Sequence, residues 1–355
     1  YDPPTGFKHL NTANIAEPSI KDPSTNFQAQ LYAGNGTAIG SGGKVVTFGG
    51  NSDMQSDFVW IKNRSATDDH SLFDAARGVT KELELPTAAD QTTQSEGLTA
   101  FGSDGFTVGN RDQVNTSSEN FVSWNWKESA TAGFDIVTYT GTGVNRTVSH
   151  SLGAAPDVMI MKETGAAGDT ADWFTYHSSN TSAPATDFLR FNTNAVTADS
   201  DEMWNDTAPT SSVFTVGIEI GINGNTNTYV AYLFTEIEGF SKFGTYTGNG
   251  NADGPFIYTG FKPRWFVQKA TAAAGQSWCI IDRARTTYNG ATSTGLLFSD
   301  SNSAEYFDSN HEWDFLSNGI KQRGTGNNGN GTIYVYMAFA ENPFGGEDVA
   351  PATAV

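Results

Sequence analysis

Apolar residues along this chain come in short runs, separated by glycine, asparagine, serine and threonine. The runs are rich in β-branched and aromatic residues, which favours strands over helices. Three of them are DFVWIKN (57–63), PDVMIMKE (156–163) and RWFVQKA (264–270). No run approaches the ~20 apolar residues that a membrane-spanning helix needs. The pattern predicts an all-β protein without long helices.

The same motifs occur three times in the same order. Tyr32, Tyr139 and Tyr246 each precede a Gly-x-Gly and are spaced by 107 residues. An apolar run ending in lysine follows in each copy, at Lys62, Lys162 and Lys269. An aromatic-rich segment then closes each copy: FVSWNW (121–126), YVAYLF (229–234) and YVYMAF (334–339). Three ordered markers at one spacing define a tandem repeat.

These boundaries divide the chain into five parts. We expect an extended connector at 1–27, β repeats at 28–130, 131–236 and 237–344, and a flexible tail at 345–355. Seven or so short strands per ~100 residues is typical of a β-sandwich. The sequence therefore predicts three tandem β-sandwich-like repeats of about 100–107 residues. Because almost no linker separates them, we expect tight packing, in pseudo-threefold or linear order.

Three segments carry more specific expectations. Residues 98–110 (LTAFGSDGFTVGN) have the pattern of a β-hairpin with Ser-Asp-Gly at the turn. Residues 70–78 are predicted as a strand that runs into a short turn of helix, and residues 211–221 as one strand.

Charge and cysteine content narrow the function classes. The net charge of −19 and only 20 lysines and arginines argue against nucleic acid and anionic membranes as partners. The single cysteine, Cys279, excludes an intrachain disulfide and is interpreted as a buried thiol. The first residues have neither a basic start nor an apolar core, so we expect no signal peptide and a segment upstream.

Most candidate chemistry has a simpler structural explanation. The Gly-x-Gly motifs lack the third glycine and helix of a phosphate-binding loop, and turns explain them better. Asp74 with Arg77, and Asp282 with Arg285, are interpreted as ion pairs or turn caps, because the middle repeat lacks the pair.

Two carboxylate pairs, Glu82/Glu84 and Glu236/Glu238, have the composition of a glycosidase site, which is the weaker interpretation of each. We predict no catalytic residue and no cofactor. The five scattered histidines do not predict a zinc site. Structural calcium could be held by Asp199, Asp201 and Glu202, or by Asp68 and Asp69; solvated loop charge is the alternative.

Four aromatic residues stand among polar residues: Trp204, Trp313, Tyr288 and Tyr306. Exposed aromatic rings beside asparagine and aspartate can stack on the apolar face of a sugar, while the polar groups bond its hydroxyls. We predict these four as glycan contacts. The alternative for each is a place in a small core beneath a loop.

Longer segments resemble a known family. They are PPTGFKHLNTANIAEPSI (3–20), DFVWIKNRS (57–65), LFDAARGVTK (72–81), SDGFTVGN (103–110), APTSSVFTVG (208–217), EGFSKFGTYTGNGNADGPFIYTGFKPRW (238–265) and YMAFAENPFGG (336–346). Together they resemble a repeated domain of unknown function at the C-terminal end of phage virion proteins, often tail-fibre or receptor-binding proteins of marine phages. The resemblance covers essentially the whole chain. It implies a virion surface role and supplies no catalytic residues. Two departures are a longer glycine-rich insert at 37–54 and the missing Asp/Arg pair.

From the resemblance we expect a tail-fibre or receptor-binding component, outside the cell, that adheres to host surface glycan or envelope protein. Expected partners are other virion proteins and a host cell-surface receptor, with a homotrimer favoured and no nucleic acid or membrane insertion. The first alternative is a non-catalytic structural virion protein, in capsid decoration or tail assembly. The second is a polysaccharide depolymerase.

Overall fold

The structure is a computed structural model that describes residues 3–5, 9, 11, 14–165, 171–290, 292–346, 349 and 352–353. Parts of the expected connector (1–27) and of the expected tail (345–355) lie outside the described residues. The last part of the connector forms a turn of 3₁₀ helix at Pro23–Thr25, and the first strand begins at Phe27.

The described chain forms three pairs of antiparallel sheets, one pair per repeat, and we name the repeats units 1, 2 and 3. Unit 1 contains β1 (Phe27–Ala33), β2 (Lys44–Thr47), β3 (Phe58–Asn63), β4 (His70–Asp74), β5 (Lys81–Leu85), β6 (Thr92–Thr93), β7 (Leu98–Gly102), β8 (Gly105–Val108), α1 (Asp112–Asn115) and β9 (Asn120–Trp126). The predicted hairpin is confirmed as β7 and β8.

Units 2 and 3 repeat this order. Unit 2 contains β10 (Phe134–Thr140), β11 (Arg146–Ser149), β12 (Val158–Gly165), β13 (Phe174–His177), β14 (Asp187–Arg190), β15 (Ala198–Asp199), α2 (Asp201–Trp204), β16 (Val213–Val216), α3 (Ile220–Asn223) and β17 (Thr228–Phe234). Unit 3 contains β18 (Ser241–Thr247), β19 (Phe256–Tyr258), β20 (Phe261–Ala270), β21 (Cys279–Asp282), β22 (Gly295–Phe298), β23 (Tyr306–Phe307), β24 (Trp313–Leu316), β25 (Gly319–Gln322) and β26 (Ile333–Pro343). The all-β, three-sandwich prediction is confirmed.

Each unit has a six-stranded inner sheet and a smaller outer sheet. The inner orders are β1-β9-β3-β4-β5-β6, β10-β17-β12-β13-β14-β15 and β18-β26-β20-β21-β22-β23. The outer sheets are β2-β8-β7, β11-β16 and β19-β25-β24. The last strand of each unit therefore lies between its first and third strands, and the three inner sheets share one topology, while the outer sheet of unit 2 has two strands where the others have three.

The central strands of the inner sheets are buried on both faces, which explains the continuous apolar runs. In β3, Phe58 and Trp60 face a core shared by all three units, whereas Val59 and Ile61 face the core between the two sheets of unit 1. Successive strand residues point to opposite faces, so a strand between two cores carries apolar side chains on both.

The shared core centres on three aromatic rings, one from each unit. Trp126, Phe234 and Phe339 hold equivalent positions, because they pair with Phe58, Val158 and Trp265 in their own sheets. Their ring centroids are separated by 6.4 Å (Trp126 to Phe234), 5.8 Å (Phe234 to Phe339) and 5.6 Å (Trp126 to Phe339). A cavity of about 20 Å³ remains beside them. The arrangement is pseudo-threefold rather than linear.

The equivalent lysines Lys62, Lys162 and Lys269 connect the units in a ring. Each is buried and donates to a main-chain carbonyl of a neighbouring unit. Lys162 Nζ lies 3.1 Å from Ala88 O in unit 1, Lys269 Nζ 3.5 Å from Asn194 O in unit 2, and Lys62 Nζ 3.1 Å from Asn302 O in unit 3. Because the third contact returns to unit 3, the ring is closed.

Further hydrogen bonds follow the same cycle. A main-chain amide of each unit donates to a main-chain carbonyl of the next unit. The pairs are Gln91 N to Thr164 O, Thr197 N to Thr271 O and Glu305 N to Arg64 O. The Asp/Arg pairs lie at these junctions: Asp74 accepts a hydrogen bond from the Tyr232 hydroxyl at 2.7 Å, and Asp282 from Trp124 Nε1 at 3.0 Å. In unit 2 the equivalent residue is His177, whose Nε2 contacts Tyr336 O at 3.1 Å. The missing pair is thus replaced by another polar contact.

The Tyr-x-Gly-x-Gly motifs anchor the segment that precedes the last strand of each unit. In unit 2, Tyr139 donates to Ile222 O, while the amides of Thr142 and Gly143 donate to Oδ1 and O of Asn223. The same contacts occur around Asn115 and around Asn328. The first glycine of each motif lies against a main-chain carbonyl, where a Cβ would overlap it.

Of two local predictions, one is confirmed and one is wrong. Residues 70–78 form β4 followed by a single turn, in which the Gly78 amide donates to Asp74 O, four residues earlier, at 3.1 Å, and the Asp74 carboxylate accepts from the Arg77 amide at 2.7 Å. Residues 211–221 form β16 and then the start of α3, because Glu219 caps α3 and Asn223 holds it against the Gly-x-Gly turn.

We expect Gly141→Ala to destabilise the protein by about 1–3 kcal/mol, because the new methyl group overlaps the Gly224 carbonyl and overpacking costs this much. Urea unfolding measures the change. Gly40→Ala is the matched control, since no atom lies within 4 Å of the added Cβ. Equal stability of the two variants would contradict the docking role of the motif.

Because these three lysines are buried, we expect the free energy of unfolding to increase as the pH is raised from about 8 to 9.5. Burial lowers the pKa of each to about 8, whereas a lysine in an unfolded chain has a pKa of ~10.4. The unfolded state therefore binds more protons in this window, and the free energy of unfolding increases as the pH rises. Urea unfolding at the two pH values tests this. In Lys162→Met the increase in the free energy of unfolding between the two pH values should be about a third smaller, because one of the three lysines is gone. An unchanged increase would contradict its attribution to the buried lysines.

Candidate functional site

Two of the four predicted glycan contacts are buried. Trp204 lies in the core of unit 2, 1% exposed, with Nε1 donating to Asp187 O at 3.0 Å. Trp313 is also 1% exposed and packs on Phe266 at 5.5 Å. The expectation that these tryptophans are exposed is wrong, because the polar residues around them in sequence form a helical turn and a hairpin that cover a core.

The two tyrosines are exposed. Tyr288 is 62% exposed in the loop after β21, and Tyr306 is 40% exposed on β23, where it stacks on Phe298 at 5.6 Å. Partial burial raises the pKa of Tyr306 to about 12. Both rings offer a face to solvent, and their role as glycan contacts stays a prediction.

Three of the four carboxylates in the predicted pairs form ion pairs. Arg111 bridges Glu82 at 2.8 Å and Glu84 at 2.6 Å. Glu236 contacts Lys242 Nζ at 2.5 Å, and Glu236 and Glu238 line a cleft of about 530 Å³. The Asp/Arg pairs are confirmed as ion pairs, with 2.5 Å from Arg77 Nε to Asp74 and 2.6 Å from Arg285 Nε to Asp282.

Within the described residues, no three histidine, cysteine, aspartate or glutamate side chains are grouped so that they could hold a metal ion. Of the calcium candidates, Asp201 and Glu202 lie in the first turn of α2, and the Asp68 carboxylate accepts a hydrogen bond from Asn63 at 2.7 Å. Cys279 is a buried free thiol, as predicted, and burial raises its pKa to about 12.

The Gly-x-Gly turns do not form phosphate sites in this structure. Their amides already donate to the asparagine side chains, to main-chain carbonyls, or to both, as described above. A loop that binds phosphate needs those amides free.

Exposed aromatic rings are concentrated in unit 3. Among the residues that the structure describes, all five aromatic side chains with large exposure belong to this unit: Phe256, Tyr258, Tyr288, Tyr306 and Phe307. Phe256 and Tyr258 are 45% and 60% exposed and point outward from β19, while Ile257 between them faces the core. We call the outward side of β19, β25 and β24 the aromatic face.

Polar groups border the aromatic face. Phe256 pairs across the sheet with Lys321, whose Nζ lies 2.8 Å from Asp253. Arg323 joins Asp253 at 3.5 Å to Asp314 at 2.5 Å. The hydrogen bond and charge of Lys321 hold the pKa of Asp253 below its usual range. Donors and acceptors therefore stand beside an exposed ring.

The equivalent positions of the other units carry small side chains. Unit 1 has Val45 and Thr47 in place of Phe256 and Tyr258, with Thr47 opposite Gly105 as Tyr258 is opposite Gly319. Unit 2 has Thr147 and Ser149. A shared scaffold thus carries aromatic side chains on this face in unit 3 alone.

Phe256 and Tyr258 are not among the residues predicted from the sequence, because a short apolar run such as FIY (256–258) does not show which of its side chains face solvent. The signal that identifies them is comparison between repeats. The buried residue of this strand is Val46, Val148 or Ile257, and the residues on either side of it are large aromatic residues only in the third copy.

The profile of a family described as "Domain of unknown function (DUF7483)" matches residues 22–343. The chain belongs to the DUF7483 family. The match is one span that includes all three units, so the DUF7483 domain corresponds to the closed three-unit body rather than to one repeat. No curated protein matches the chain. In the part of the chain that the structure describes, no helix is long and apolar enough to cross a membrane.

Trp204 and Tyr288 are both predicted from the sequence as glycan contacts, but only Trp204 is buried. We therefore expect their substitution to change stability by different amounts. Trp204→Ala should destabilise the protein by about 3–5 kcal/mol, because it empties a filled core position. Tyr288→Ala should change stability by no more than about 0.5 kcal/mol, because its ring is exposed. Thermal or urea unfolding of the two variants tests this, and a stable Trp204→Ala protein would contradict the packing.

Proposed function

We propose that this DUF7483 protein is a non-catalytic adhesion component of a phage virion surface, which binds host-cell carbohydrate through exposed aromatic side chains of unit 3. The observation that carries the proposal is the aromatic face, where Phe256 and Tyr258 replace the small residues of units 1 and 2. The assignment to a phage virion rests on the motifs described under Sequence analysis.

The chemistry of the face suits a sugar. The C–H groups of a pyranose ring form an apolar surface that packs on an aromatic ring, and its hydroxyls need donors and acceptors at the edge. The Phe256 ring packs against Gly319, where a larger residue would displace it. Lys321, Asp253 and Asp314 provide the polar edge.

A binding role also agrees with the state of the carboxylate pairs. General acid–base catalysis needs a carboxyl group free to exchange a proton with the substrate. Glu82 and Glu84 are held by Arg111, and Glu236 is held by Lys242. The depolymerase alternative keeps one supporting feature, the cleft that contains Glu236 and Glu238.

The structural alternative uses the same exposed side chains as a contact with another virion protein. Copies of the chain in a homotrimer or on a virion would multiply weak sugar contacts into useful avidity. Extracellular exposure on the virion follows from this role, with host glycan and other virion proteins as partners.

The test is binding of the full chain to a glycan array and to intact host-type cells. We expect Phe256→Ala/Tyr258→Ala to lose binding about tenfold or more, since each ring contributes stacking beyond its buried area. Val45→Ala/Thr47→Ala, at the equivalent positions of unit 1, should bind like the unaltered protein. Tyr288→Ala/Tyr306→Ala measures the other exposed rings.

Each other outcome contradicts part of the proposal. Undiminished binding by Phe256→Ala/Tyr258→Ala would exclude the aromatic face as the site. No binding to glycans or cells by the folded protein would exclude adhesion and favour the structural alternative. Release of sugar from a bound polysaccharide would establish an enzyme instead.

A further inference from the structure

A second, polar cleft of about 420 Å³ lies where units 1 and 3 meet. Its walls are the beginning of β1, the glycine-rich loop after β2, and the paired ends of β20 and β26. The side chains that line it are mostly amides and charged groups: Gln28, Gln30, Asn51, Lys262, Arg264, Glu341 and Asn342. It is separate from the aromatic face, and none of its lining residues belongs to β19, β24 or β25.

Positive charge exceeds negative charge in this cleft. Glu341 contacts Lys262 Nζ at 2.8 Å and Arg264 Nη1 at 3.0 Å. The hydrogen bond from Lys262 and the charges of Arg264, Lys262 and Arg283 hold the pKa of Glu341 below its usual range, although Arg283 does not itself line the cleft. Two cations therefore line the cleft beside one carboxylate, on a chain of net charge −19. The charge therefore favours an anionic ligand.

The same position is acidic in the other two units. Asp57 and Asp157 hold the place of Arg264, directly before the third strand of their units. Their carboxylates accept the amides of Glu128 and Glu236, each at 2.8 Å. Arginine at this position is therefore a feature of unit 3 and not of the shared repeat.

Lys262 and Arg264 have donors to spare. An ammonium group has three N–H groups, and among the described residues Lys262 Nζ meets one acceptor, Glu341. Arg264 has five N–H groups, and within the described chain they meet two acceptors, Glu341 and Ala29 O, each at 3.0 Å. Both side chains border the cleft, so an anion there can accept from both.

We propose that this cleft binds a hydroxylated ligand with an anionic substituent, an acidic saccharide whose carboxylate or phosphate meets Lys262 and Arg264. The amides of Asn51 and Asn342 are placed to bond hydroxyl groups. The volume lies in the range of small-molecule sites, about 300–1,000 Å³. The proposal does not depend on sugar binding at the aromatic face.

Calorimetric titration of the full chain tests it, with D-glucuronate, D-glucose 6-phosphate, D-glucose and inorganic phosphate as probes at low salt. We expect glucuronate, glucose 6-phosphate or both to bind at least tenfold more tightly than glucose and than phosphate. Comparison of the two acidic sugars identifies the anionic group. Binding should weaken with added salt, since the contact is electrostatic.

Variants locate the site. Lys262→Met and Arg264→Gln should each reduce affinity at least tenfold, while Lys81→Met should not, because Lys81 bonds Thr93 at the opposite edge of the unit 1 inner sheet from β1. Asn342→Ala should also weaken binding. Because it changes no charge, it locates the site even if Lys262→Met or Arg264→Gln fails to fold. Phe256→Ala/Tyr258→Ala should bind the acidic sugar normally, which separates this site from the aromatic face.

Three results would overturn the proposal. The first is equal affinity for glucuronate, glucose 6-phosphate and glucose. The second is binding of inorganic phosphate as tight as that of the acidic sugars. The third is undiminished binding of the acidic sugar by all three variants Lys262→Met, Arg264→Gln and Asn342→Ala.

Discussion

The contact among Trp126, Phe234 and Phe339 is the interaction on which the rest of the structure depends. Each ring comes from the last strand of its unit and occupies the same register. An inner sheet exposes an apolar face that must be buried, and here each unit buries it against the other two. The three inner sheets share one core, which in unit 3 is continuous with the core between its two sheets, whereas units 1 and 2 each keep a separate core between their sheets.

In this closed body of three units, the residues that stabilise the assembly are different from those that we propose for recognition. The lysines, the main-chain bonds and the Tyr-x-Gly-x-Gly turns recur in every unit, so they serve the assembly. Features that break the threefold pattern are then candidates for function. The aromatic face and the cationic cleft are two such features, and both belong wholly or partly to unit 3. Outer sheets and junction rims can vary in this way because they lie outside the shared core.

The sequence predicted the repeats and the strand class because local patterns carry both. Short β-branched and aromatic runs specify strands, and spacing specifies the repeat. It did not predict that Trp204 and Trp313 are buried, because polar neighbours in sequence say nothing of what a loop covers in space. It also missed Asn115, Asn223 and Asn328, whose role depends on contacts with residues about 80 positions earlier. Arg264 does not stand out in the sequence of its own repeat. It stands out only when the three repeats are aligned by structure, because units 1 and 2 have aspartate at the equivalent position.

Differential scanning calorimetry of the full chain tests the shared core most directly. If all three units depend on one core, they unfold together, and the calorimetric enthalpy equals the van't Hoff enthalpy. We therefore predict one transition with a ratio of about one. Two or three resolved transitions, or a calorimetric enthalpy several times the van't Hoff value, would show that the units unfold independently and would contradict this account.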